Sequence, residues 1–503
     1  MAIASSILKW SLRLLVLAVA LAAAALFWVE FQLDRFAGAR TPEVDPAAFA
    51  VPARLAAVTN VHVLSADGEA MLPGHTVLFD GSGILAVGDA VGIPEHADIV
   101  DGGGRYLIPG LVDAHVHLKQ SPNDLLVYVA TGVTGIREMS GNADHLAWRQ
   151  QIGDGRLGPT LFVASEKLES HGWLAGHFQR WTRQRINVRR PGDAAATVAS
   201  LSARGYDAVK LGSLLDAEAY GEVGRAAAQS GMPVVGHLPI TVSLDTLWAS
   251  QQGELAHIEE IVKALDAEFG YFGNSRREEF LAFVERRSDE VAAKLAGHDI
   301  AVVSSLWLID SIPRQKLAPA DVIAGIELAY ANPGLVEGTP LSKGWLPGHN
   351  AYEVGADASA EEREAHAAYW TTFAQAHHIV LQAMRDRGVR VMAGTDANTA
   401  GVVPGFSLHD ELESLVAAGM TPAQALRAAT VAPAERMDHK AGKLAPGYRA
   451  DMVLLGANPL DAIGNTRAID AVVLRGRMLD RARLDAILAA VRDTNDRSRR
   501  IPR

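Results

Sequence analysis

The sequence predicts an α/β protein with a (β/α)8 barrel of the TIM type, a small discontinuous β-sandwich domain and an N-terminal transmembrane helix. Three observations carry this prediction. An unbroken apolar run covers residues 14–29, short β-type runs occur on both sides of a long central region, and apolar strands alternate there with Ala-rich helical stretches. Such alternation is typical of βα units around a parallel sheet.

Composition limits the classes of function. With 503 residues, 49% of them hydrophobic, the chain can form one large catalytic domain and a smaller one. The net charge is −11 and no long Lys/Arg run is present, so nucleic acid is not an expected partner. The chain has 0 cysteines, which excludes disulfides, thiolate zinc sites and a thiol nucleophile. Any metal must therefore be held by His, carboxylate or a modified Lys.

The N-terminal segment, residues 1–31, has the features of a membrane helix. Lys9 and Arg13 precede the apolar run, and Trp10, Trp28 and Phe31 flank it. A spanning helix needs about 20 residues, and aromatic edges are common in such helices. Because the cations precede the run, the positive-inside rule places the catalytic domain outside the cytoplasm, on the periplasmic side in a bacterium.

A cleaved signal peptide is the alternative, and it would give a secreted protein. The residues WVEFQLD separate the apolar run from the nearest small-residue stretch, AGA at 37–39. A cleavage site would be expected directly after the run. We therefore expect an uncleaved anchor, followed by a linker over residues 32–51.

The small β-domain is predicted from both flanks of the barrel. Residues 52–107 contain four β-type runs separated by Gly and Asp turns, and residues 441–478 return to the same character. The simplest arrangement pairs these two segments. Residues 479–503 are expected to form a C-terminal helix and tail.

The barrel is predicted over residues 108–440. Its eight strand candidates are LVDAHVHL at 111, GVTGIREMS at 132, TLFVASEKL at 160, DAVKLG at 207, PVVGHL at 233, ELAHI at 254, DIAVVSSL at 299 and VRVMAGTD at 389. A Pro- and Gly-rich segment, residues 312–360, separates the last two strands. Loops of that length are often active-site lids, so we expect an insertion over one rim.

Polar residues end five of the predicted strands, where functional residues lie in such barrels. In chain order they are His115, His117, Lys210, His237, His257 and Asp396. The first two stand two positions apart on a strand, so they face the same side and could share one metal ion. Each residue alone also has a simpler explanation: a hydrogen-bonded rim histidine, a snorkelling lysine or a capping aspartate. A single binuclear metal site accounts for all six together.

These motifs resemble those of the amidohydrolase superfamily, metal-dependent hydrolases related to urease and dihydroorotase. The resemblance covers nearly the whole chain after the anchor, through PGLVDAHVHL, VKL, GH, AH, GTDA and GKLAPGYRADMVLL. Within the superfamily the sequence is most similar to the imidazolonepropionase-like branch, which includes metal-dependent Xaa-Pro dipeptidases.

The resemblance implies two divalent metal ions. The more buried ion would be held by His115, His117 and Asp396, and the more exposed ion by His237 and His257. Imidazole and oxygen ligands suit zinc best, with manganese, cobalt or iron as alternatives.

Two further roles follow from the resemblance. Lys210 would bridge the ions as an Nζ-carboxylate formed with carbon dioxide, because an unmodified amine cannot hold two cations together. Two such metals can share a hydroxide and polarise a carbonyl, which makes hydrolysis the natural reaction. Asp396 would accept the proton of the hydroxide and deliver it to the leaving amine.

The expected substrates are small amides such as dipeptides or N-acyl amino acids. His171 is the first candidate for polarising the scissile carbonyl or binding a carboxylate, and an ordinary loop histidine is the alternative. Trp173, Arg137 and Asn398 are weaker candidates for substrate contacts. The segment SEKLESHGW departs from the Gly-Gly-His pattern of close dipeptidase relatives, which weakens the dipeptidase assignment.

Two other functions and the oligomeric state stay open. A cyclic amide hydrolase like imidazolonepropionase usually holds one metal and lacks the bridging lysine, so Lys210 argues against it. A metal-free scaffold of the same fold would not need six ligands. Self-association into a homo-oligomer is compatible with the sequence.

Overall fold

A long apolar helix, α1, precedes the rest of the chain. In the computed structural model, which describes residues 2–355, 357–437 and 439–500, α1 spans Ala2–Ala37. Its part Lys9–Ala37 is long and apolar enough to cross a membrane, and its most apolar stretch is unburied. A signal sequence shares these properties. The last turn of α1 contacts the body of the protein, where Arg35 pairs with Glu337 at 2.7 Å.

Five strands follow α1 and form one part of a mixed sheet. They are β1 (Ala56–Leu64), β2 (Met71–Asp80), β3 (Gly83–Gly88), β4 (Asp98–Asp101) and β5 (Tyr106–Pro109). β2 pairs antiparallel with β1 and β3, whereas β4 and β5 each pair parallel with β1. Apolar side chains such as Val58, Phe79 and Leu107 form the core of this part.

The described part of the central region contains ten strands, and each of the eight predicted stretches overlaps one of them. They are β6 (Leu111–Val116), β7 (Val133–Glu138), β8 (Thr160–Val163), β9 (Leu168–Glu169), β10 (Ile186–Asn187), β11 (Val209–Leu211), β12 (Val234–Gly236), β13 (Gln252–Leu255), β14 (Ala301–Val303) and β15 (Val391–Met392). The strands are short, and the two that were not predicted, β9 and β10, have two residues each.

The central strands pair parallel in two sets. One set is β6-β7-β8, and the other runs in the order β10-β9-β11-β12-β13-β14-β15. Two parallel bridges connect the sets, Val116 with Ala397 after β15 and Ala164 with Ala208 before β11. All six residues of β6 are buried, as expected of a parallel strand that is covered on both faces.

Three C-terminal strands complete the first sheet. They are β16 (Met452–Leu455), β17 (Ile469–Leu474) and β18 (Arg477–Asp480). β16 pairs antiparallel with β5, with Met452 opposite Pro109. The sheet order β18-β17-β16-β5-β1-β2-β3 therefore joins segments from both sides of the central region.

Sixteen helices follow α1 in the described residues. They are α2 (Asp124–Ala130), α3 (Ala143–Gly153), α4 (Trp173–Arg183), α5 (Pro191–Arg204), α6 (Ala217–Ser230), α7 (Leu244–Trp248), α8 (Ile258–Phe269), α9 (Arg277–Gly297), α10 (Leu306–Leu317), α11 (Pro319–Ala324), α12 (Pro333–Glu337), α13 (Ala360–Asp386), α14 (Phe406–Ala417), α15 (Pro422–Ala428), α16 (Val431–Arg436) and α17 (Arg481–Arg499). Local sequence determines where several of these helices begin or end. A capping box of Ser359 and Glu362 begins α13, and Gly270 at φ +84° ends α8.

The segment predicted as an insertion, residues 312–360, is partly helical. It carries the end of α10, then α11 and α12, and its apolar side chains include Leu335 and Trp345. These side chains form a separate cluster that also contacts Phe36 of α1. The insertion thus forms the surface on which the last turn of α1 packs.

Candidate metal centre

Strand β6 positions the first pair of histidines. Asp113 and His115 lie on β6 and His117 directly follows it, and at this alternate spacing the three residues share one face. The Asp113 carboxylate accepts hydrogen bonds from the Thr395 N–H at 3.0 Å and hydroxyl at 2.7 Å. The Asp396 N–H donates to the His115 carbonyl at 2.9 Å. These contacts join β6 to the residues after β15 and bring Asp396 beside both imidazoles.

His115, His117 and Asp396 form a compact group whose ligand atoms all lie within 4.8 Å of one another. Asp396 Oδ1 is 3.0 Å from His117 Nε2 and 3.6 Å from His115 Nε2. Asp396 has φ +58°, a left-handed conformation that Asp tolerates better than most residues. One carboxylate oxygen therefore faces two imidazole nitrogens.

Lys210 lies beside this group. It is on β11, its side chain is fully buried, and its Nζ is 3.4 Å from His115 Nε2. Burial, with the positive charge of Lys167 nearby, lowers the pKa of Lys210 well below its ordinary value. A neutral amine is the form that can add carbon dioxide.

His237 and His257 follow β12 and β13. His237 Nδ1 lies 2.7 Å from Glu260 Oε1, and His257 Nδ1 lies 2.8 Å from Ser305 Oγ. A partner on Nδ1 leaves Nε2 of the same ring for a metal, as in many metal sites. Burial lowers the pKa of both imidazoles, which favours the neutral form that binds metals.

Ring contacts connect these histidines to the first group. The His257 ring centroid is 4.4 Å from that of His115 and 5.5 Å from that of His237. The structure thus brings the six predicted ligand residues into one cluster. All of them lie at or just after the carboxyl ends of parallel strands.

The cluster fits a cation. His115 Nδ1 and His117 Nδ1 are buried and have no hydrogen-bond partner among the described residues, and the buried Asp396 Oδ1 faces His117 Nε2 at 3.0 Å. Burial alone would raise the pKa of Asp396, but the hydrogen bond from His117 and the surrounding positive groups hold that pKa below its ordinary value. An ionised carboxylate beside neutral imidazoles is a donor set suited to a divalent metal.

Two predicted substrate-binding residues have other partners. Arg137 is fully buried and donates to both carboxylate oxygens of Glu254, at 3.0 and 2.7 Å. Asn398 is also buried, and its Nδ2 donates to the His117 carbonyl and to Asp124 Oδ2, both at 2.8 Å. Arg137 thus forms an internal ion pair, and Asn398 holds the backbone of His117, a predicted ligand residue.

The other two candidates lie in the segment after β8. His171 Nε2 is 2.8 Å from Glu169 Oε2, and no described contact joins His171 to the six ligand residues. Trp173 begins α4 and is exposed. In the described residues, no hydrogen bond, ion pair or ring contact joins either residue to the cluster.

Sequence reasoning missed Lys167, which stands four residues before His171. Burial and the neighbouring Arg185 lower the pKa of Lys167 to about 8, while Asp396 and Glu169 oppose that shift. The Lys167 ammonium thus lies within electrostatic reach of Asp396. In the part of the chain that the structure describes, its Nζ makes no hydrogen bond or ion pair. A lysine shortly after a predicted strand was the available signal.

Comparison with known proteins supports the resemblance found in the sequence. Residues 374–479 match the amidohydrolase family. Dihydroorotases of Mycobacterium tuberculosis and Mycobacterium leprae are 38% identical over 56 residues, which is 11% of this chain and 13% of each relative. The match thus spans about an eighth of the length of these curated relatives.

Solved amidohydrolase structures share the fold. A bottromycin amidohydrolase has a TM-score of 0.67 at 23% identity, covering 91% of this chain and 96% of that one. A putative prolidase from Bifidobacterium longum has 0.60 at 20% identity, covering 87% and 99%. A Xaa-Pro dipeptidase with bound methionine has 0.57 at 16% identity, covering 84% and 99%. The resemblance to amidohydrolases, including prolidase-like proteins, is thereby confirmed, together with a mixed α/β fold.

Proposed function

We propose that this protein is a binuclear metal-dependent hydrolase that cleaves amide bonds of small molecules such as dipeptides or N-acyl amino acids. The observation that carries the proposal is the convergence of four histidines, one lysine and one aspartate in a buried cluster. The amidohydrolase match and the fold shared with a putative prolidase support this class of reaction.

The proposal includes a closed (β/α)8 barrel over residues 108–440. The two bridges between the parallel sets support closure, since one joins the end of β6 to the residues after β15 and the other joins the end of β8 to the residues before β11. We assign residues 52–107 and 441–478 to one small domain, and the pairing of β5 with β16 supports that assignment. In such a barrel the carboxyl ends of the strands carry the active site.

His115, His117 and Asp396 would hold one divalent ion, and His237 and His257 the other, with zinc best suited to these donors. When bound, such a pair of ions supplies a nucleophile at neutral pH and polarises the scissile carbonyl. Burial lowers the pKa of His115, His237 and His257, which favours neutral rings that can donate their lone pairs.

Lys210 would join the two halves of the site. Its neutral Nζ adds to the carbon of carbon dioxide, forms an N–C bond and releases one proton, and a carbamate with two oxygen donors results. Its position 3.4 Å from His115 Nε2 supports this role. The buried surroundings favour the neutral amine that the addition requires.

Asp396 would move the proton. Its Oδ1 is buried in the cluster beside the imidazole nitrogens of His117 and His115, and as a carboxylate oxygen it can accept the proton that is lost as the nucleophile attacks. The same oxygen can then protonate the leaving amine, which completes hydrolysis. Asn398 supports this geometry by holding the His117 carbonyl.

Lys167 is our candidate for binding a substrate carboxylate. It is cationic near neutral pH, has no partner among the described residues and lies within electrostatic reach of Asp396. Dipeptides and N-acyl amino acids both carry a carboxylate next to the scissile amide. His171 is the alternative, although Glu169 already occupies its Nε2.

We also propose that α1 is an uncleaved membrane anchor, with the catalytic domain outside the cytoplasm. Its last turn is built into the body, because Phe36 packs on the insertion and the Gln120 N–H donates to the Ala37 carbonyl at 2.9 Å. Cleavage after this turn would remove those contacts. N-terminal sequencing of the membrane fraction tests this assignment, and a mature chain that begins near Arg40 would contradict it.

The function is tested by screening dipeptides, N-acyl amino acids and cyclic amides with full-length protein reconstituted with zinc and bicarbonate. We expect hydrolysis of linear amides by the parent and by Lys294→Ala, which changes a half-buried lysine of α9 outside the cluster. Lys210→Ala should lose bound zinc and activity together. Activity on cyclic amides alone would contradict the proposed substrate class, and a parent that binds no metal would instead indicate a scaffold.

A further inference from the structure

Helix α4 carries an apolar face that the protein does not cover. Trp173, Leu174, Phe178 and Trp181 are 62%, 75%, 58% and 41% exposed. Their spacing places them on one side of the helix. Soluble proteins rarely leave so large an apolar patch without a partner.

The opposite side of α4 attaches it to the body. Gly176 is the buried residue of the helix, and a Cβ there would lie 2.1 Å from Asn187 Nδ2. Only glycine permits this close approach. The apolar side chains are therefore turned away from the protein rather than poised to enter its core.

The same segment is strongly basic. Five arginines lie between residues 180 and 190, and no acidic residue occurs between Glu169 and Asp193, although the whole chain has a net charge of −11. Arg180 and Arg183 are exposed in the last turn of α4. The apolar face is thus bordered by positive charge, which complements an anionic surface.

A short series of contacts connects α4 to α1. The Gln120 N–H donates to the Ala37 carbonyl of α1, and the adjacent Lys119 carbonyl is 2.6 Å from His145 Nε2 of α3. Asn142, which caps α3, donates to Gln184 at the end of α4 at 3.1 Å. Both helices therefore lie on the side where the central strands end.

We propose that α4 is an interfacial helix that lies in the membrane surface, with its apolar side chains in the lipid and its arginines on anionic headgroups. Amphipathic helices with aromatic and aliphatic residues on one face and basic residues at the other bind membranes in this way. The inference goes beyond hydrolysis and rests on the proposed anchor, α1, which would hold this side of the protein at the bilayer.

Charge favours lipid over a second copy of the chain. In a two-fold dimer the same patch would meet itself, and the arginines bordering it would face the same arginines. Repulsion of that kind would oppose the contact. Anionic headgroups neutralise the same residues.

The absence of cysteine permits a direct test in the full-length chain. Leu174→Cys and Phe178→Cys place a fluorescent label on the apolar face, and Ile99→Cys is the matched control, since Ile99 is 63% exposed on β4 of the other sheet. The labelled proteins are reconstituted in vesicles of phosphatidylcholine and phosphatidylglycerol. Quenching is measured with aqueous iodide and with lipids that carry nitroxide on the acyl chain.

Burial in the interface should reduce iodide quenching at positions 174 and 178 by roughly threefold or more relative to position 99. Nitroxide lipids should quench the first two labels and not the third. Equal quenching at all three positions in protein that floats with the vesicles would overturn the α4 proposal alone. Protection that grows with protein density and shows no lipid quenching would indicate self-association and would also overturn it. Failure to float would contradict both α1 and α4, and neither readout depends on hydrolysis.

Discussion

Glu260 gives the sharpest single perturbation of the site, because it contacts His237, a proposed ligand, without being a proposed ligand itself. This buried residue of α8 accepts from His237 at 2.7 Å, from the Leu238 N–H at 3.2 Å and from Lys263 at 3.0 Å. Glu260→Gln keeps the size of the side chain but removes its charge. The NH₂ group of the new amide would also face one of the donors from which the carboxylate accepted a hydrogen bond.

The expected result is weaker binding of the ion held by His237 and His257. Loss of a hydrogen-bond partner of a metal-ligating histidine typically costs 10- to 100-fold in metal affinity, which is about 1.4 to 2.7 kcal/mol. Competition with a chelating dye, monitored during zinc titration, measures the affinity of each ion. One binding step should weaken by this factor while the step assigned to His115, His117 and Asp396 changes little.

Glu259→Gln is the matched control, since Glu259 is adjacent on α8 and also approaches Lys263, at 3.7 Å. It has no described contact with His237, so its zinc affinities should equal those of the parent. Unchanged affinities in Glu260→Gln, or an equal loss in both variants, would refute the reasoning.

Three other predictions follow from contacts in and around the cluster. Asp396→Asn should lower kcat at least about 10²-fold at matched metal occupancy, because the amide cannot accept a proton; a variant within tenfold of the parent would contradict this. Lys167→Met should raise KM about tenfold or more for carboxylate substrates, as expected for a lost charged hydrogen bond, and leave KM for neutral amides unchanged. Since the pKa of Lys167 is about 8, the parent's KM for carboxylates should rise as the pH increases through that value, and a flat profile would exclude this role. Glu254→Gln should lower the free energy of unfolding, measured with denaturant, by about 3 to 5 kcal/mol, because Arg137 then stays buried without its charged partner. The exposed-site change Glu268→Gln is the control. A loss below about 1 kcal/mol relative to that control would contradict an essential ion pair.

The proposed ligand residues could be identified from the sequence because each one lies at or near the end of an apolar strand. His115 and His117 in LVDAHVHL, and Asp396 in VRVMAGTD, are recognisable from alternation and position alone. The parallel order of the strands then brings residues that are far apart in the chain to one place. Hydrophobic pattern and strand polarity suffice for that step.

The supporting contacts could not be predicted in the same way. Glu260 stands three residues after His257 in the chain, yet its carboxylate contacts His237, which follows β12. This contact forms because α8 passes beside the end of that preceding strand. Arg137 has the same position at a strand end as a ligand would, but the partner that decides its role, Glu254, lies 117 residues away. Such pairings depend on the register of packed strands, which no local pattern encodes.

The central claim is that six side chains hold two metal ions, and anomalous scattering at the zinc edge tests it most directly. Crystals of the full-length protein, reconstituted with zinc and bicarbonate, should give two anomalous peaks per chain. One is expected at His115, His117 and Asp396, the other at His237 and His257, with continuous density from Lys210 Nζ between them. Crystals that show no anomalous peak at these residues, with zinc present in excess, would contradict the account.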